Sequence, residues 1–392
     1  MKQIIMIFFL ALVLQAQSLD EIISNALAKS PSLEAMNERI LAHKAYTNTA
    51  DNLSNPELLI LTNTIDSSEP MKQDSISFKQ KLPYFGKLDA SKKLSIAQDE
   101  VLVLNLESSK ARLVYLLKSQ AYTIWELEKV YKIICDYEEL TKHNIDLYES
   151  YTSTSDNQHM GIMSAELALS DLRIQKSLLL SKIAASYAQL SYLSAQEITE
   201  IDYLTLKIEG IEGRSLLNKG LQDNPELLVK QKELEEKEAR FTSVDLDKYP
   251  DVSLVAGYSY RENYDNFSSF GLGLSLPIYG SEDVKSEEAR RAVLQTKALK
   301  EDTRLAIQAK FQMTYAQMKS AYETYHIIND QALPQLDHMF ELINASVSAG
   351  GDLFKYIDIL IQKLKLEQKS INAIANYNRA QAKIQALKGE IK

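Results

Sequence analysis

Turn-forming residues are scarce in this chain: 12 Gly and 8 Pro stand among 392 residues, less than half the usual share of each. That shortage excludes an all-β sandwich and a many-turned α/β enzyme, and predicts long uninterrupted helices. Cysteine is nearly absent. Cys135 is the single one, so neither an intrachain disulfide nor a Cys-rich metal site can form. Positive charge is in deficit, with 44 Lys and Arg against 53 Asp and Glu and a net charge of −9. Without a basic surplus to neutralise phosphates, the chain does not read as a nucleic-acid binder. Long apolar runs are missing except at the amino terminus, so no transmembrane helix is expected in the mature protein. What is present is 45% hydrophobic and 25% charged residues, ample for a buried core and too apolar for disorder. Length alone allows two or three domains.

The one apolar run, Ile4 to Leu14, follows Lys2 and precedes the small residues Ala16 and Ser18. A basic start, an apolar stretch of this length and an A-x-A-like close read as a secretory signal peptide, assigned to residues 1–18. A buried N-terminal helix is the competing reading. Cleavage after Ala16 or after Ser18 fits, and Leu14, three positions into the first cut, tips the choice to the second. No Cys stands near the cut to receive a lipid. The mature protein is expected to be exported, with no helical anchor and no lipid at its N-terminus.

The chain repeats itself. Pro31 and Pro225, Pro56 and Pro250, Pro83 and Pro277, and Gly86 and Gly280 are each 194 residues apart. Six of the eight prolines are thus used in register, which marks two copies of one unit, near 19–209 and 213–388. Each copy opens with a helix, over Ser32 to Leu53 or Glu226 to Asp247, entered through a Ser-Pro or Asn-Pro pair. Two short strands follow, near 57–65 and 75–82 in the first copy and 251–260 and 269–276 in the second. In the second copy Leu254, Ala256, Tyr258 and Tyr260 alternate with Ser253, Val255, Gly257 and Ser259. Phe270, Leu272 and Leu274 likewise alternate with Gly271, Gly273 and Ser275. This period of two gives one apolar face and one small or polar face.

Long helices complete each copy, as hairpins over 87–209 and 281–388. Between Gly86 and Gly161 there are 74 residues without Gly or Pro, and from Ile162 to Glu209 another 48. Leu94, Ala97, Val101, Leu104, Ala111, Val114, Tyr122 and Trp125 trace a seam near a 3.5-residue period, as in coiled coils. A helix of about 60 residues would be ~90 Å long. The polar tract from Tyr151 to Gly161 and the shorter Ser346 to Gly351 are expected as the two hairpin turns. Pro334 predicts a kink. The fold class is therefore mainly α with a small β part. Two strand pairs in one chain cannot close a barrel, and a sheet in lipid must close. A membrane reading thus requires an oligomer, with three chains giving twelve strands; a soluble strand pair packed on the helices stays open.

The repeat order, the strand exits LPYFGK and LPIYGS, and the segments NPEL and YPDV before the strands resemble the TolC-like outer-membrane efflux channels. The resemblance covers essentially the whole mature chain. It implies a homotrimer with a 12-stranded β-barrel in the outer membrane and an α-helical barrel in the periplasm. Such a channel is a passive exit duct, not an enzyme, and needs no cofactor. Its implied partners are a periplasmic adaptor protein, an inner-membrane transporter and outer-membrane lipid, with no nucleic acid. The short length is similar to the cation-efflux branch serving cobalt–zinc–cadmium or copper exporters, so metal cations or drugs are the expected cargo. A soluble periplasmic coiled-coil scaffold and a type I secretion channel are the alternatives.

On that resemblance, Asp352 and Asp358 are candidates for an acidic ring at the periplasmic aperture, although Asp near a helix start is favourable in any protein. Gly161, Ser164, Gly350 and Gly351 are candidates for the tips that meet the adaptor, with helix termination by Gly as the plainer reading. Pro83, Gly86, Pro277 and Gly280 mark strand-to-helix exits. The five histidines, His43, His143, His159, His326 and His338, show no ligand spacing, so no metal site is expected. Cys135 reads as a packing residue. No nucleophile–base arrangement and no phosphate loop is visible.

Overall fold

The structure, a computed structural model, describes residues 17–66, 69–150, 156–202, 204–211, 222–347 and 353–390. Its elements run α1 (Leu19–Lys29), α2 (Pro31–Thr47), β1 (Glu57–Thr62), β2 (Gln73–Leu82), α3 (Lys87–Ser150) and α4 (Asp156–Ser194). Then follow α5 (Pro225–Asp245), a 3-10 turn (Leu246–Lys248), β3 (Asp251–Arg261), β4 (Phe267–Ser275) and α6 (Ser281–Ile327). A π-helical turn (Ile328–Ala332) leads into α7 (Leu333–Val347), and α8 (Leu353–Leu387) completes the order. The fold is mainly helical with one small antiparallel sheet, as the scarcity of Gly and Pro requires. The chain divides into two compact units, one of residues 1–34, 109–221 and 307–392, the other of residues 35–108 and 222–306.

The second of these units holds the sheet, in the order β1-β2-β3-β4 with every pair antiparallel. At its helical end the contacts are polar. His43 Nδ1 lies 2.7 Å from Asp99 Oδ1, and the hydroxyls of Thr47 and Ser95 meet at 2.6 Å. Lys92 Nζ donates to the Thr47 carbonyl at 2.6 Å. Lys232 bridges Glu100 and Glu235, and these two carboxylates hold its ammonium pKa up at about 12. Asn224 caps α5, its side chain accepting the Leu227 N–H at 3.0 Å with Pro225 behind it.

The other unit is built from long helix faces. Ala111, Val114, Leu117, Ala121 and Ile124 of α3 are buried at helical spacing, where the sequence seam runs. Ile22, Ile23 and Ala26 of α1 pack with Val114, Leu117, Ile124, Leu190 and Ile198. A larger cluster joins Ile134, Tyr137 and Ile145 of α3 to Ala165, Leu169 and Leu172 of α4, and to Tyr356, Ile357 and Leu360 of α8. Cys135 is half-buried and free.

Several boundaries differ from the sequence reading. A helix α1 precedes α2, and α2 stops at Thr47 rather than Leu53, while α5 ends at Asp245 before its 3-10 turn. Of the expected turn from Tyr151 to Gly161, residues 156–161 are helical, because α4 begins at Asp156 and Gly161 lies inside it, and residues 151–155 lie outside the described residues. The helix expected to reach Glu209 ends at Ser194, where Ala195 takes a left-handed φ of 53°. The chain beyond it is not helical, and Ile198 and Leu206 are buried there against helix faces. At Pro334 the helix forms a π-turn. Proline offers no N–H to the carbonyl four residues back and its ring crowds that carbonyl, so the upstream turn widens.

Candidate membrane sheet and helical tip

The register sorts the sheet into two chemically distinct faces. Leu58 pairs with Phe78, Ile60 with Ile76, Phe78 with Ala256 and Ile76 with Tyr258. Ala256 pairs with Phe270, Leu254 with Leu272 and Val252 with Leu274. Residues directly opposite share a face, so these side chains form a largely apolar surface, interrupted by Gln80 opposite Leu254 and by Ser268 opposite Tyr258. It is open: Phe270 is 86% exposed, Leu272 77% and Ile60 76%. Near the β3–β4 turn, Arg261 lies over the rings of Tyr264 and Phe267, and its backbone N–H donates to Asn266 Oδ1 at 2.8 Å.

The opposite face is mainly small and polar across β2, β3 and β4, with Val255 and Phe267 as its apolar members there. Ser77 pairs with Gly257, Gly257 with Ser269, Ser75 with Ser259 and Ser253 with Gly273. A Cβ on Gly257 would stand 2.8 Å from the hydroxyls of Ser77 and Ser269, so only glycine fits without displacing them. Glu57 and Lys79 pair across strands at 3.2 Å on this face. Leu59 and Leu61 also lie on it, which makes edge strand β1 apolar on both sides. The outer edges of β1 and β4 have no strand partner among the described residues.

Where strands turn into helices, Asp251 gathers the chain. Its Oδ1 accepts the Tyr84 N–H at 2.9 Å and Lys87 Nζ at 2.8 Å, and Lys81 Nζ reaches Oδ2 at 3.0 Å. Tyr84 stacks on Tyr249 with ring centroids 4.5 Å apart. Pro83 and Gly86 lie between β2 and α3, and Pro277 and Gly280 between β4 and α6. Gly86 and Gly280 both adopt left-handed φ, +90° and +75°, which a side chain would strain. The sequence showed the glycines and prolines of this joint. It did not show Asp251, whose role depends on residues more than 160 positions away.

At the helical tip, Gly161 is buried. A Cβ there would come 3.1 Å from Leu353 Cβ, so the missing side chain is what lets α4 approach the start of α8. Ser164 is half-buried on α4. Met160, Met163 and Leu167 beside them are well exposed, as is Phe354 on α8. Asp358 is exposed in the second turn of α8, where its Oδ2 accepts Gln362 Nε2 at 2.9 Å. Beneath it Tyr356 is fully buried, and its hydroxyl accepts Asn144 Nδ2 at 3.0 Å. Asp352, Gly350 and Gly351 lie outside the described residues. Among the described residues no group of His, Cys, Asp and Glu could hold a metal ion, and no helix is long and apolar enough to cross a membrane.

The model of the outer membrane efflux protein family matches residues 216–390. No curated protein matches the sequence. Among solved structures, the open-state MtrE outer membrane channel of Neisseria gonorrhoeae superposes with a TM-score of 0.82 at 14% identity, covering 95% of this chain and 89% of that one. CusC, studied for folding and transmembrane channel formation, gives 0.79 at 12% identity over 96% of this chain and 95% of its own. The outer membrane protein VceC of Vibrio cholerae gives 0.78 at 13% identity, over 95% and 97%. Residues 216–390 thus match the outer membrane efflux protein family, and the chain as a whole has the fold of the TolC-like outer-membrane channels.

Proposed function

We propose that this protein is the outer-membrane exit duct of a tripartite efflux pump, a homotrimer that conducts cargo passively and catalyses nothing. The observation that carries this reading is the two-faced sheet with unpartnered edges. Unpaired backbone N–H and C=O groups in lipid cost several kcal/mol each, so a sheet in a bilayer must close on itself. Four strands per chain close when β4 of one copy pairs with β1 of the next, and three copies give a 12-stranded barrel. The face with Phe270, Leu272 and Ile60 then meets lipid, and the face with Ser75, Ser253 and Gly273 lines water. The helices support assembly as well. On α4, Ile174 and Leu178 join Met160, Met163 and Leu167 as exposed apolar residues opposite the buried face. A second apolar face on one helix, opposite the first, calls for cover on both sides.

In this reading the partners are a periplasmic adaptor, which meets the tips around Gly161, Ser164, Gly350 and Gly351, and an inner-membrane transporter, which selects the cargo. Metal cations or drugs are the cargo proposed. Asp352 and Asp358, repeated three times, would concentrate negative field in a narrow mouth and favour cations. Asp352→Asn is expected to lower cation selectivity of the open channel without lowering trimer yield. Unchanged selectivity would remove Asp352 from the aperture. The function itself is tested by fractionation. A trimer in outer-membrane fractions is the expected result. A soluble periplasmic monomer would favour the scaffold reading and end the channel one.

A further inference from the structure

The amino-terminal residues of the described chain are woven into its fold, although the sequence pattern alone places them in the leader. Ser18 caps α1: its Oγ accepts the Glu21 N–H at 3.3 Å, while its own N–H donates to Glu21 Oε2 at 3.1 Å. This reciprocal pair satisfies two backbone donors at the helix start. The Ser18 carbonyl also accepts the Ile22 N–H at 3.0 Å, the first bond of the helix. One residue earlier, Gln17 forms a parallel bridge with Ile201. Its carbonyl accepts the Asp202 N–H at 2.9 Å, and its Oε1 accepts Gln196 Nε2 at 2.8 Å. Gln17 therefore ties the start of α1 to the extended segment that follows α4, and both flank the cluster where Ile22, Ile23 and Ala26 meet Leu190 and Ile198.

We infer that signal peptidase cleaves between Ala16 and Gln17, so that the mature protein begins at Gln17 and not at Leu19. A cut after Ser18 would discard every hydrogen bond just named. It would also create an α-ammonium on Leu19, the first residue of α1, at the positive end of the helix dipole and against unsatisfied N–H groups. A cut after Ala16 keeps the cap, the bridge and the side-chain bond, and sets the new charge two residues outside the helix. Ala16 supplies the small residue that the peptidase requires just before the scissile bond. Against Leu14, which tips the sequence pattern toward the later cut, stand the contacts that residues 17 and 18 make in the folded chain.

Mass spectrometry of the N-terminal peptide, taken from protein purified from outer membranes, tests this directly. The expected first residue is Gln17, as glutamine or its cyclised form, and any other first residue overturns the inference. A start at Leu19 on an outer-membrane trimer would do so while leaving the exit-duct reading intact; a retained Met1 would count against export and hence against both. Ser18→Asp supplies a second arm that preserves folding, because Asp also caps helices but is charged where the alternative cut needs a small residue. The inference predicts processing of Ser18→Asp to Gln17 at the wild-type level. Accumulation of its precursor would contradict it.

Discussion

Glu367 on α8 shows how single side chains bear on the stability of the helical unit. Burial pushes its carboxyl above the usual range, and a hydrogen bond with Tyr137 and the charge of Lys363 offset this only in part. Burial and the same carboxylate raise the Tyr137 hydroxyl in turn. An acid with a raised folded-state pKa favours folding most when it is protonated. Its contribution is full below the ordinary value of 4.5 and is lost as pH rises through the folded-state value. Glu367→Gln, which keeps the size and an acceptor for Tyr137, is expected to raise the melting temperature at pH 7 and to flatten its pH dependence. Thermal melts of the two proteins from pH 4 to 8 check this; parallel curves would contradict it. Nothing in the sequence set Glu367 apart, because its burial comes from α3 meeting α8 across more than two hundred residues. Gly86 and Gly280 are the opposite case. Their left-handed backbone is a local need, so glycine at a fixed offset reported it.

Elements were legible where local chemistry rules them and misjudged where packing does. Strands β2, β3 and β4 lie within two residues of the expected bounds, because alternation of apolar and small residues is local to each, whereas β1, apolar on both sides, ends at Thr62 rather than at 65. The long helices followed from missing Gly and Pro. Their ends did not: α4 stops at Ser194, sixteen residues before the next glycine, at Gly210. There Ser191 Oγ accepts the Ile198 N–H at 2.9 Å, and Ile198 itself is buried. Likewise Gly161 reads as a turn in sequence yet serves as a close contact within a helix. The π-turn at Ile328–Ala332 is the element most open to test. Asn329 Nδ2 donates to Ser370 Oγ at 2.8 Å, tying the widened turn to α8. Pro334→Ala restores an N–H and removes the ring clash, an effect of up to about 3 kcal/mol in a helix interior. The expected outcome is a continuous α-helix through 328–334 with slower amide exchange there. Unchanged exchange would mean that the Asn329–Ser370 contact, rather than the proline, sets the turn.

For the whole molecule, the apolar surface left open by one chain is the dominant fact. The exposed sheet face and the exposed stripe of α4 have no use in a monomer in water, where such patches promote aggregation. They are accounted for together by a trimer seated in a bilayer. Leu272 lies on the proposed lipid face and Ser253 on the proposed water face of the same sheet. A lysine on the lipid side near mid-membrane costs about 2–4 kcal/mol per copy, and one on the water side far less. Leu272→Lys is therefore expected to deplete the outer-membrane trimer, while Ser253→Lys assembles normally. Quantitative blotting of membrane fractions separates the two, and equal yields would refute the facing of the sheet. The breakers spaced 194 residues apart made the order of elements readable, because Pro31, Pro56, Pro83 and Gly86 recur as Pro225, Pro250, Pro277 and Gly280. The proposed closure was not legible in the same way, because it would depend on the edges of β1 and β4 pairing with another chain.

The central claim is that this sheet walls a water-filled pore, and single-channel recording of the purified protein in a planar lipid bilayer tests it most directly. Discrete conductance steps from a preparation shown to be trimeric are predicted, with the step size altered in Ser253→Lys. Insertion of that trimer without any conductance, even when the residues around Asp352 are replaced to relax the aperture, would contradict the account.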